Sequence, residues 1–295
     1  MKGHSGTLAL VHGAILSRRI SPLKTGEKKK EEKEKKKKKK EKRKRKMRRA
    51  LLIGVNYVRN EQNRLYGCVG DVRNMQQTLA RIRPGVEFRV LHDEGDATWP
   101  SRANVLEGFQ WLLAGLAPGD SVLVHYSGHG GLTIDRSGDE SSGYDSCIFP
   151  VAESGAIECV TDDEIRALLA ERVPAQCKLT AIFDCCHSGT CLDLRYTLGG
   201  KEAVIILTEN RRYRKTAAQV LFLGACTDEQ VAEESVAPSG APVGALTTAL
   251  VSALEGSTKL NRVLLAIRAG LKGAGYQQTP QVSCGRAVPF DTALL

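Results

Sequence analysis

The sequence predicts an α/β domain with a mostly parallel central sheet and helices on both faces. Three observations carry that prediction. Short aliphatic runs alternate along the chain with segments of helical periodicity, the pattern of strands joined by helical crossovers. Apolar residues make up 42% of the chain and aromatics only 5%, which suits a Val/Ile/Leu/Ala core packed on both sides of a sheet. The 295 residues are enough for one large domain.

The elements follow in order. Arg49–Tyr57 (RALLIGVNY) is a short apolar run ending in turn residues, hence a buried strand. In Asp71–Ile82, Val72, Met75, Leu79 and Ile82 share one helical face, and Asp71 is placed to serve as N-cap. Phe88–His92 is a second strand. Ser101–Leu116 is a helix capped by Ser101, with Val105, Phe109, Leu112, Leu113 and Leu116 inward. Ser121–Ser127 (SVLVHYS) is a third strand, stopped by Gly128-His129-Gly130-Gly131.

A polar loop over Ile134–Tyr144 precedes a short extended piece at Cys147–Pro150. Thr161–Glu171 opens with a threonine and two acids, a good helix start. Leu179–Asp184 is a fourth strand and Gln219–Cys226 a fifth, with an irregular basic stretch over 194–217 between them. Helices at Val243–Leu254 and Asn261–Leu271 and a strand at Gln281–Cys284 complete the domain.

Charge divides the chain. The formal net charge of +10 is the sum of +16 on residues 1–49 and −6 on the rest. Residues 1–48 therefore form a basic low-complexity tail, read most simply as solvated and disordered. Its Lys42-Arg43-Lys44-Arg45-Lys46 is the strongest candidate for nuclear targeting or polyanion binding. The mildly acidic body offers no nucleic-acid footprint and favours cationic partners. The nine cysteines are odd in number and include the adjacent pair Cys185-Cys186, which argues for thiols in a reducing, cytoplasmic setting rather than a disulfide scaffold. No run of 18 apolar residues is present, so no membrane span is expected.

Ligands of open α/β sheets bind beyond the carboxyl ends of the strands. Two strands here end in reactive residues: the third in Ser127-Gly128-His129-Gly130, the fourth in Asp184-Cys185-Cys186-His187-Ser188-Gly189. Neighbouring parallel strands lie about 5 Å apart, so both ends can face one crevice. A cysteine with a histidine in reach is the minimal apparatus for thiol attack on a carbonyl. The imidazole helps form the thiolate and then protonates the departing amine. The flanking glycines let backbone N–H groups approach a substrate, and those of Gly130 and Cys186 are candidates for an oxyanion hole.

The motifs Tyr126-Ser127-Gly128-His129-Gly130 and Asp184-Cys185-Cys186-His187-Ser188-Gly189 together resemble the paired motifs of metacaspases. The resemblance spans about residues 49–290 and implies a caspase-like fold with type I ordering. Residues 49–194 would be large-subunit-like, 195–218 a linker and 219–290 small-subunit-like. It maps the catalytic dyad onto His129 and Cys186. It implies a cysteine endopeptidase cleaving protein or peptide chains after Arg or Lys, with Asp71, Asp184 and Ser127 lining an acidic specificity pocket. A buried carboxylate suits a guanidinium through bidentate pairing. The resemblance also implies calcium, held by Asp145, Asp162, Asp163 and Asp193, and self-cleavage within the linker, where Lys201, Arg211, Arg212, Arg214 and Lys215 lie. A monomer is expected. The stretch Ala225–Gln230 resembles the family's acidic stretch, and the sequence departs from the family pattern directly after it, at Val231-Ala232-Glu233-Glu234.

Other readings are weaker. A catalytically silent caspase-like scaffold is the main alternative. No Gly-rich phosphate loop follows the first strand, which disfavours nucleotide binding. Cys185, Cys186, His187 and Cys191 lack the paired spacing of a structural zinc site. His125 alternates with core residues and reads as packed. Cys68, Cys147, Cys159, Cys177 and Cys226 read as core thiols.

Overall fold

The computed structural model describes residues 47–138, 143–186, 188, 191–200, 204–226, 234–236 and 242–295. The basic tail up to Lys46, His187, Lys201 and the stretch 227–233 lie outside the described residues. The elements are β1 (Met47–Gly54), α1 (Cys68–Ile82), β2 (Glu87–His92), α2 (Arg102–Leu113) and β3 (Ser121–Ser127). Then come β4 (Gly130–Ile134), β5 (Tyr144–Ile148), β6 (Val160–Thr161) and α3 (Asp162–Ile165), which continues as a π turn over Arg166–Ala170. They are followed by β7 (Lys178–Asp184), β8 (Tyr196–Gly199), β9 (Ile206–Glu209), β10 (Gln219–Gly224), β11 (Glu234–Val236), β12 (Pro242–Gly244), α4 (Ala245–Gly256), α5 (Leu260–Gly273) and β13 (Gln281–Cys284).

Eight strands form the central sheet in the order β2-β1-β3-β7-β10-β13-β8-β9. The first five are mutually parallel and the last three antiparallel. Alternation along β1 explains how the sheet is covered. Leu51 and Ile53 face one core with Val105, Phe109 and Leu112 of α2. Ala50 and Leu52 face the other with Met75 and Leu79 of α1, Leu250 of α4 and Ile267 of α5. Period-two side chains on a strand buried on both faces need helices on both sides, and the chain supplies them. Among the described residues, no helix is long and apolar enough to cross a membrane.

Several expectations need correction. The helix expected from Asp71 begins three residues earlier at Cys68, so Asp71 is not its cap; its carboxylate is buried and engaged elsewhere. The helix capped by Ser101 ends at Leu113 rather than Leu116. The stretch 194–217, expected to be irregular, supplies β8 and β9 to the sheet. Its basic residues masked the alternation of Tyr196 and Leu198, which point into the core. The polar loop after the third strand is shorter than expected, because Gly130–Ile134 pairs with Tyr144–Ile148 as a hairpin. Cys159 is half-buried rather than core.

Candidate active site

The ladder between β3 and β7 sets the site. Ser127 pairs with Asp184 at the carboxyl ends of these neighbouring parallel strands. His129 and Cys186 each follow two residues later, so both chains leave the sheet together and line one cleft with Asp71, Ser127, Asp184 and Gly244. Cys186 is half-buried at the turn. Cys185, beside it, is fully buried, and its thiol is pushed well up by a hydrogen bond with Cys191 and by burial, so it keeps its proton.

Buried tyrosines hold His129. Its N–H donates to the Tyr57 hydroxyl at 2.9 Å, and the Tyr126 hydroxyl donates to its carbonyl at 2.7 Å. The Tyr57 ring lies 4.8 Å from the imidazole. Burial pushes both phenols well above their ordinary range, so each remains a hydrogen-bond donor. Tyr57 sits at φ +54°, a conformation that non-glycine residues seldom adopt and that marks a constrained position. The His129 Nε2 contacts the carbonyl of Asn63 at 2.9 Å. A carbonyl only accepts, so Nε2 carries the proton and Nδ1 is the basic nitrogen. Tyr57 and Asn63 were not singled out from sequence, and Tyr126 stood in the motif without a role. The Tyr of Asn56-Tyr57 following a buried strand was the available signal.

Gly130 passes against the cysteine turn. A Cβ there would lie 2.4 Å from the Cys186 carbonyl oxygen and 2.9 Å from the Cys185 sulfur, so no side chain fits. The close approach brings the backbone of Gly130 and that of Cys186 together.

The two acids of the cleft are bound by the start of α4. Asp71 accepts the Gly244 N–H on both oxygens, at 2.8 and 3.0 Å, and the Ser127 hydroxyl at 2.6 Å. Asp184 accepts the N–H and the hydroxyl of Thr247, each at 2.8 Å, on Oδ2. Among the described residues its Oδ1 takes no hydrogen bond. The negative charges thus sit at a helix N-terminus, where unpaired N–H groups and the dipole favour them. Burial pushes the Asp184 carboxyl up to about 6, against the lowering effect of the two Thr247 bonds. The Thr247 hydroxyl, donating to Asp184, accepts from His125 Nε2 at 3.1 Å. His125 is fully buried, its Nδ1 has no partner, and burial lowers its pKa to about 3. His125 is therefore a packed neutral side chain, as expected, but one wired to an acid of the cleft.

Of the four acids assigned to calcium, Asp145 lies in β5, Asp162 and Asp163 open α3 directly after β6, and Asp193 lies in the segment after the cysteine turn. Asp145, Asp162 and Asp193 are buried. Asp162 accepts the N–H groups of Ser146 at 2.7 Å and of Asp163 at 2.9 Å. Arg166, one turn after Asp162, donates to the carbonyl of Asp193, whose φ is +45°. The donors are hard carboxylate oxygens, the chemistry calcium takes, and those of Asp145, Asp162 and Asp193 belong to buried side chains. Among the described residues, no three acidic, histidine or cysteine side chains are gathered closely enough to form a ready coordination shell.

Residues 48–195 match the family model of the metacaspase peptidase C14 domain. Metacaspase-2 of Trypanosoma brucei brucei is 35% identical over 263 residues, covering 82% of this chain and 74% of that protein. Metacaspase-1 of Schizosaccharomyces pombe is 40% identical over 182 residues, covering 60% of this chain and 41% of that protein. In fold, the chain is similar to the crystal structure of protein GSU0716 from Geobacter sulfurreducens, with a TM-score of 0.59 at 22% identity over 82% of this chain and 95% of that one.

Proposed function

Since the chain belongs to the metacaspases, a family of cysteine-type peptidases, we propose that it is an endopeptidase that cuts protein chains after Arg or Lys with Cys186 as nucleophile and His129 as acid and base. The observation that carries this reading is the Ser127–Asp184 pairing, which delivers His129 and Cys186 to one cleft beside two buried acids.

In the proposed reaction, His129 Nδ1 takes the Cys186 proton and the sulfur attacks the scissile carbonyl. Backbone N–H groups of Gly130 and Cys186 stabilise the oxyanion. The imidazolium then protonates the leaving amine, and water, deprotonated by His129, releases the acyl group. Asp184 Oδ1 and the Asp71 carboxylate, with Ser127 at the same wall, supply the negative charge for a basic side chain. Calcium held by Asp145, Asp162, Asp163 and Asp193 would draw together the strands and the Asp193 segment that follow the dyad, supporting activation and cuts between Arg195 and Ala218. Hydrolysis of matched peptides ending in Arg, Lys or Asp, with and without calcium, tests the reading. Efficient cleavage after Asp would refute the pocket assignment, and turnover by Cys186→Ala would refute the dyad.

A further inference from the structure

Tyr57 stands in the loop after β1 at φ +54°, a conformation that glycine or asparagine ordinarily takes. Its side chain is fully buried and lies outside the cleft. A bulky residue stays in the left-handed region only when its surroundings fix it there, and such positions gather around sites of function.

Here a buried acid fixes it. Asp93 follows β2 directly. Its Oδ1 accepts the N–H of Asn56 at 2.8 Å and its Oδ2 the N–H of Val58 at 2.9 Å, the two amides on either side of Tyr57. A left-handed residue between two amides turns both N–H groups toward one anion, and bonds to a buried carboxylate offset the strain. The Asn56 side chain accepts the N–H of Cys68 at 3.0 Å, and its backbone carbonyl accepts that of Leu65 at 3.0 Å, which close the loop.

The Tyr57 hydroxyl has one proton and two neighbours of fixed polarity. It donates to the carbonyl of Phe149 at 2.7 Å and accepts the N–H of His129 at 2.9 Å. With the Tyr126 hydroxyl on the His129 carbonyl, both polar groups of that residue's backbone are held by buried phenols. His129 stands between Gly128 and Gly130, so its backbone has little steric restraint of its own. The restraint comes from outside the cleft.

We propose that Tyr57, set in place by Asp93, is a positioning residue for His129. Its hydroxyl holds the histidine backbone, and thereby the imidazole, at the distance that proton exchange with Cys186 requires. The proposal rests on the reading of His129 and Cys186 as the working pair and adds to it two buried residues that lie outside the cleft. Misplacement of a reacting group by about 1 Å costs on the order of 100-fold in rate. Substrate is held by other groups, so the effect falls on kcat rather than KM.

The test uses the full chain. Tyr57→Phe keeps the ring and removes the hydroxyl. It should lower kcat for an Arg peptide by about 10- to 100-fold, with KM changed by no more than about three-fold. Alkylation of Cys186 by iodoacetamide in the folded protein, read by mass spectrometry of its peptide, should slow about ten-fold. Asp93→Asn leaves one acceptor for two N–H groups and should move kcat and alkylation in the same direction. It reads the arrangement again if circular dichroism shows that Tyr57→Phe does not fold; failure of both variants to fold makes the pair structural and overturns the proposal. His129→Ala separates the two levels. If it keeps turnover and fast alkylation, the dyad reading is wrong and this proposal falls with it. If it loses both while Tyr57→Phe and Asp93→Asn stay at wild-type kcat and alkylation rate, the positioning role alone is refuted. A change confined to KM or to thermal stability in the two variants refutes it as well.

Discussion

Asp184 receives both the backbone N–H and the hydroxyl of Thr247, each at 2.8 Å, so one carboxylate oxygen caps the first turn of α4. The other oxygen is left for the cleft. Because the Thr247 hydroxyl in turn accepts from His125, the acid is oriented by a buried chain of three side chains. The same carboxylate thus serves helix capping and, in the proposed reaction, recognition of a basic side chain.

Asp184→Asn should therefore lower kcat/KM for Arg peptides by roughly 100-fold or more, mainly through KM, by loss of a charge-assisted bond. With the Asp184 carboxyl at about 6, wild-type kcat/KM for Arg and Lys peptides should fall below that pH more steeply than for a neutral side chain at the same position. Parallel pH profiles for basic and neutral substrates would remove Asp184 from the pocket.

Stability should respond to pH through two opposed groups. The folded Asp184 pKa lies above its ordinary 3.8, so between about pH 4 and 6 the fold binds a proton that the unfolded chain does not, and its contribution to stability falls as pH rises. The folded His125 pKa, about 3, lies below its ordinary 6.5, so the unfolded chain binds the extra proton and stability falls as pH drops below 6.5. Each effect has a slope of about 1.4 kcal/mol per pH unit, so they largely cancel between pH 4 and 6. Asp184→Asn should unmask the loss toward acid and His125→Gln the gain. Denaturant titrations at pH 4.5, 5.5 and 6.5 measure both, and unchanged slopes in the two variants would contradict the burial argument.

Gly244 lies between the two acids. A Cβ there would come within 2.2 Å of Asp184 Oδ2 and 2.6 Å of Asp71 Oδ2. Gly244→Ala should cost about 2–4 kcal/mol, through overpacking and disturbed buried bonds. Gly70→Ala is the contrast: the added carbon meets nothing nearer than 3.4 Å, so the substitution within α1 should be neutral or stabilising by about 0.5–1 kcal/mol. Thermal melts of the two variants decide it.

At the cysteine pair, Cys186→Ala should abolish hydrolysis. Cys185→Ala should keep turnover within about ten-fold while lowering stability by roughly 1–2 kcal/mol, since a buried packing group and its bond with Cys191 are lost. Equal loss of turnover in two folded variants would mean that the pair acts as a unit.

Asp162→Asn should raise the calcium concentration for half-maximal activity about ten-fold or more while leaving the fold intact. Magnesium should substitute poorly, because it requires tighter octahedral geometry. Full activity in excess chelator would set the assignment aside.

Much of the frame was legible from local pattern. Strand periods located β2, β3, β7, β10 and β13 within a residue or two and β1 within three, because each is a short aliphatic run bounded by turn residues. The capping residues Ser101 and Thr161 were readable for the same reason: a cap acts on N–H groups two or three residues away. The strands β8 and β9 were not, since their core-facing positions are few and lie among charged residues, and only pairing with β13 gives them a place in the sheet.

The sequence by itself determined which residues stand at the ends of the third and fourth strands, and hence that His129 and Cys186 follow them, the two side chains on which the proposed reaction rests. Only the tertiary structure decided what surrounds them. The bond between Gly244 and Asp71 joins residues 173 apart, and that between Thr247 and Asp184 joins residues 63 apart. Contacts at such separations leave no periodicity or spacing in the chain. They arise when α4 packs its N-terminus against the carboxyl ends of β3 and β7, where buried carboxylates need N–H donors and the helix end has them unpaired.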